Sequence, residues 1–123
     1  MSLGAFSISL NVKDLTISRD FYSKLGFHEM GGNADHGYLI MKNGSNIVGL
    51  FAGFIKSNTL TFNPGWDQNA QPVEDFEDVR AIQKRLKSEG IKLTIECDEA
   101  TTGPAHLTLV DPDGNAILID QHV

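Results

Sequence analysis

A chain of 123 residues, 41% hydrophobic and 21% charged, has the material for one shared core and too little for two independent ones. Its net charge of −6 excludes general affinity for nucleic acid or an anionic membrane, because such binding depends on Lys and Arg neutralising phosphate. No apolar run reaches membrane-spanning length and no leader pattern is present, so a cytoplasmic protein is expected, and the single Cys97 leaves neither an internal disulfide nor a thiolate metal site.

The first predicted element is a strand at about 5–12, with Ile8, Leu10 and Val12 on one face and Ser7, Ser9 and Asn11 on the other. A helix follows over 14–25, started by Asp14, closed by Gly26, and turning Leu15, Ser18, Phe21, Tyr22 and Leu25 inward. Strands at 27–31, 37–42 and 46–52 come next, the last two joined by a hairpin turn at Asn43-Gly44. The strand at 58–63 again alternates, with Thr59, Thr61 and Asn63 opposite Leu60 and Phe62. A loop over 64–73 then carries the only Trp, Trp66, before a helix over 76–89 that gathers Phe76, Val79, Ile82 and Leu86 on one face and ends at Gly90. Strands at 91–96, 105–110 and 115–120 complete the chain.

The second half repeats the first. Ser7-Ile8-Ser9-Leu10-Asn11 returns as Thr59-Leu60-Thr61-Phe62-Asn63, Asp14-Leu15 with Gly26-Phe27 returns as Asp78-Val79 with Gly90-Ile91, and Asn43-Gly44 matches Asp113-Gly114. The expected organisation is one domain, 1–123, built of modules at about 5–52 and 58–120 with an insertion at 64–73. Their shared core would contain Leu10, Phe21, Leu25, Phe62, Val79, Ile82, Leu86, Leu109 and Ile117. A loop this long in a small domain covers a binding site or is pinned to the core by its aromatic, and Trp66 suits either role.

The run Ser9-Leu10-Asn11-Val12-Lys13-Asp14-Leu15, then Phe21-Tyr22, Leu25-Gly26-Phe27 and Asp111-Pro112-Asp113-Gly114-Asn115, resembles the vicinal oxygen chelate superfamily of glyoxalases, bleomycin resistance proteins and extradiol dioxygenases. The resemblance spans about residues 5–120 and implies an α+β fold of two βαβββ modules curled into an open cupped barrel, with the ligand in the cup and homodimers common. It also implies a divalent metal held by His and Glu at four strand positions. These align here with Ser7, Val48, Thr59 and Leu118, none of which is a competent ligand.

By alternation the cup would also receive Ser9, Tyr38, Thr61, His106 and Thr108 over an apolar floor of Val48, Leu50 and Leu118, with Trp66 as a lid. His106 either contacts the ligand or is satisfied by backbone and water, and a metal held by His106, Asp120 and another carboxylate is the one route back to metal chemistry. The expected function is therefore metal-independent binding of a small organic molecule, with no cofactor. The alternative is a glyoxalase-type lyase or dioxygenase with a non-standard metal site or metal-free acid–base chemistry.

Overall fold

In the computed structural model, which describes residues 2–123, the chain forms two α-helices and seven strands, an α+β fold. It divides into two units, Ser7–Thr59 and the residues up to Phe6 together with Leu60–Val123.

The first unit holds most of β1 (Ala5–Asn11), α1 (Leu15–Lys24), β2 (His28–Asn33), β3 (Tyr38–Asn43) and β4 (Asn46–Phe51), with its strands in the order β2-β3-β4-β1. Asp14 starts α1 because its backbone is extended and its carboxylate accepts the free amide of Ile17 at 3.0 Å. β1 runs parallel to β4 with Ile8 beside Val48 and Leu10 beside Leu50, while antiparallel β3 sets Met41 against Val48 and Leu39 against Leu50. These side chains therefore share a face, and Leu15, Tyr22 and Phe27 pack against the cluster they form. The expected inward stripe of α1 is corrected: Phe21 and Leu25 are each 57% exposed, and of its apolar residues only Leu15 and Tyr22 reach the core.

The second unit contains β5 (Thr59–Asn63) beyond its first residue, α2 (Val79–Ser88), β6 (Ala105–Val110) and β7 (Ala116–Gln121), with the strands ordered β5-β7-β6. Its core is Val79 and Ile82 of α2 against Leu107, Leu109 and Ile119. Buried apolar residues thus form one cluster per unit, rather than the single shared core that chain length suggested. α2 begins three residues later than its apolar spacing indicates. Asp78 is the cap, its carboxylate accepting the Arg80 amide at 2.9 Å, and Phe76 stays outside the helix.

A buried amide supports that cap. Gln121, 2% exposed, accepts the Val79 amide at 2.7 Å and donates to Asp78 Oδ2 at 3.0 Å and to the Gly103 and Val123 carbonyls. A buried side-chain amide costs free energy unless such bonds are made, so Gln121 ties the start of α2 to β7. The strand expected at 91–96 is reduced to a bridge between Ile95 and Thr108 beside β6.

The inserted loop is folded on itself. Val73 donates to the Gly65 carbonyl, Trp66 pairs with Pro72, and Asp67 Oδ1 accepts the Asn69 and Gln71 amides. The Gln68 amide exchanges two hydrogen bonds with the backbone of Phe6.

Candidate functional site

The face of the first unit opposite its core carries the hydroxyls anticipated for the cup. Pairing sets Ser9 beside Gly49 and Gly49 beside Ile40, then Asn11 beside Phe51 and Phe51 beside Tyr38, so Ser9, Asn11 and Tyr38 share that face. Ser7 belongs to it by strand parity. Tyr38 stacks on Phe51 with centroids 5.8 Å apart and planes 5° from parallel, and Phe54 meets both rings edge-on. Gly49 makes room for this group, because a Cβ there would lie 2.6 Å from the Phe51 ring. The Thr59 hydroxyl donates to the Ser57 carbonyl at 3.1 Å.

Val48 is corrected, and Leu50 with it. Both are buried in the core beneath α1, on the face away from Ser9 and Tyr38. Aligning Asn43-Gly44 with Asp113-Gly114 misled because the two turns differ in length. Asn43 pairs directly with Asn46 across a two-residue turn led by Gly44 at φ +60°, whereas Val110 pairs with Ala116 across a five-residue loop, 111–115. The change from two residues to five reverses the parity of β4, so Ile47, Gly49 and Phe51 lie where Val48 and Leu50 were expected.

In the second unit the expected alternation holds. β6 and β7 set His106 opposite Asp120 and Thr108 opposite Leu118, while Leu107, Leu109 and Ile119 turn into the core. Thr61 is buried on β5, whose Phe62 packs on the core side. Asn63 Nδ2 donates to the Asp120 carbonyl at 2.9 Å.

A contact that sequence reasoning missed adjoins this face. His122 Nε2 lies 3.2 Å from Asp120 Oδ2, and its ring stacks on Trp66 at 4.4 Å and 9°. The hydrogen bond to Asp120 raises the imidazole pKa against the opposing effect of burial. The only local signal was Asp120-Gln121-His122, where alternate residues of an extended segment share a side. Trp66 is therefore anchored by its own unit.

The model of the Glyoxalase/Bleomycin resistance protein/Dioxygenase superfamily matches residues 4–119. The chain belongs to that superfamily. A superfamily member from Vibrio splendidus 12B01 is 16% identical, with 94% of this chain aligned to 97% of that one at a TM-score of 0.64. A Legionella pneumophila protein described as an NAD-dependent benzaldehyde dehydrogenase is 18% identical over 96% of this chain and 99% of its own, at a TM-score of 0.70. An extradiol ring-cleaving dioxygenase from B. fuscum is 19% identical over 99% of this chain, which spans 33% of that enzyme, at a TM-score of 0.62. At such identities these likenesses show the fold. No curated protein matches the chain.

The metal that the superfamily implies can be tested against the donors present. Ser7 and Thr59 supply hydroxyls, Leu118 an alkyl group, and β4 supplies Ile47 or Gly49 in place of buried Val48. None provides imidazole or carboxylate, and among the described residues no three His, Cys, Asp or Glu side chains converge. His106 lies opposite Asp120 and His122 meets the Asp120 carboxylate, yet among the described residues these side chains do not form a group that could hold a metal. These residues do not fit a divalent ion. Cys97 offers no substitute, since burial raises its pKa and its thiol donates to Gln83 Oε1 at 3.2 Å.

Proposed function

We propose that this superfamily member binds a small organic molecule without a metal, acting as a homodimer in the cytoplasm. The observation that carries the reading is the donor set: hydroxyl, alkyl and glycine positions stand where the superfamily's resemblance implies His and Glu. In the first unit the Tyr38, Phe51 and Phe54 rings, with the hydroxyls of Ser7, Ser9 and Thr59, offer an aromatic platform and a few polar groups, and the second unit by itself carries the hydroxyls of Thr61 and Thr108 and the imidazole of His106. That combination suits a planar organic ligand better than a chelated substrate.

The test is a thermal-shift screen of metabolites and drugs on chelator-treated protein. A hit is expected to keep its dissociation constant in excess EDTA and to weaken roughly tenfold or more in Tyr38→Ala, the loss of an aromatic anchor. Binding that disappears with EDTA and returns with Mn²⁺ contradicts the proposal. A second reading, metal-free acid–base catalysis, is favoured by the Asp120–His122 pair. Its mark is lyase turnover that survives chelation and is lost in His122→Gln.

A further inference from the structure

We propose that the cleft formed by the inserted loop is a separate binding site for an organic cation of the quaternary ammonium class. The cleft has a volume of about 720 Å³, within the range of small-molecule pockets, and lies wholly in the second unit. It does not rest on the metal-free reading above.

Its walls are aromatic and its charged lining side chains are all acidic. Trp66, Phe76 and Val73 supply apolar surface, Asp67, Asp75 and Glu77 supply carboxylates, and among the described residues no Lys, Arg or His side chain lines the cleft. The three acids are not equivalent. Glu77 is neutralised by a bidentate pair with Arg85 at 2.9 and 3.0 Å, and Asp67 is occupied by the Asn69 and Gln71 amides. Asp75 has neither an ion pair nor a hydrogen bond among the described residues.

Ligand classes are separated by these features. An anion meets uncompensated carboxylate. A divalent metal lacks a donor set, since among the described residues no three acidic or imidazole groups converge. A quaternary ammonium is poorly hydrated, is attracted to aromatic faces, and gains from one nearby carboxylate without needing a hydrogen bond. The walls are also fixed before binding, because Trp66 is stacked on His122 and the backbone at Gly65 lies against Phe76 and Val123. Gly65, at φ +91°, has no space for a Cβ, which would come 2.4 Å from the Val123 side chain. A preformed wall spares the ordering cost that weakens flexible sites.

Trp66 is the only Trp, so its fluorescence reports on the cleft directly. The full chain is titrated with choline chloride at pH 8, with sodium chloride and dimethylbutanol, the uncharged isostere of choline, as controls. A saturable change with choline that neither control reproduces is expected. Asp75→Asn is expected to weaken it about tenfold, Phe76→Leu to weaken it, and Glu74→Gln, outside the cleft, to leave it unchanged. Circular dichroism verifies that each variant is folded. Equal binding of the isostere, a choline response no larger than that of sodium chloride, or equal effects of Asp75→Asn and Glu74→Gln would overturn the proposal.

Discussion

Asp120 makes three different contacts: its carbonyl accepts from Asn63, its carboxylate meets His122, and it faces His106 across β6 and β7. His122 is thereby held between a carboxylate and the indole of Trp66, both of which favour its charged form. Because the folded pKa is raised, this contribution is fully present below the unfolded value of 6.5 and is lost as pH rises through the folded value above it. The side chains are 43% and 31% exposed, so solvent screening limits the pair to at most about 1 kcal/mol. Trp66 fluorescence should titrate with a midpoint above 6.5 that moves down in Asp120→Asn. A midpoint indifferent to that substitution would show that Asp120 does not hold the proton.

Among the elements, α1 and α2 read alike in sequence and differ in what they bury. Ile82 of α2 is fully buried, so Ile82→Ala is expected to cost about 2–5 kcal/mol in chemical denaturation. Phe21 of α1 is 57% exposed, and Phe21→Ala should stay within about 0.5 kcal/mol. Comparable losses at the two sites would place Phe21 in a packed environment and contradict this account.

Alternation within strands was legible, because Ile8 with Leu10 and Leu107 with Leu109 differ so plainly from their neighbours. The caps Asp14 and Asp78 were legible as residue types, although Phe76, apolar at helical spacing, drew the start of α2 too early. Face assignment failed at Val48, where parity depends on turn length: Gly44-Ser45 and Asp111–Asn115 contain similar residues and differ by three positions. The Trp66–His122 stack could not be seen, since a contact between a loop and a chain terminus leaves no periodic trace. Tyr38 was expected on the cup face, whereas Phe51, which stacks on it, was hidden by the same parity error.

For the whole molecule, superfamily membership carries a fold and leaves the chemistry to individual side chains. The proposed homodimer has an edge available. In the second unit β6 is met by the bridge at Ile95, whereas β2 ends the strand order of the first unit and includes Gly31 and Gly32. Unpaired edges are commonly covered by a partner. Sedimentation should give a dimer mass, and a monomer mass at every concentration would refute it.

The central claim is that ligand positions without imidazole or carboxylate leave this superfamily member with no use for a metal. Its most direct test is equilibrium dialysis of chelator-stripped protein against Mn²⁺, Ni²⁺ and Zn²⁺, followed by thermal denaturation of each sample. The account predicts substoichiometric metal and an unchanged Tm, because an ion bound only by the folded state must raise it. One tightly bound ion per chain, with a raised Tm that Ser7→Ala and Thr59→Ala abolish, would contradict it.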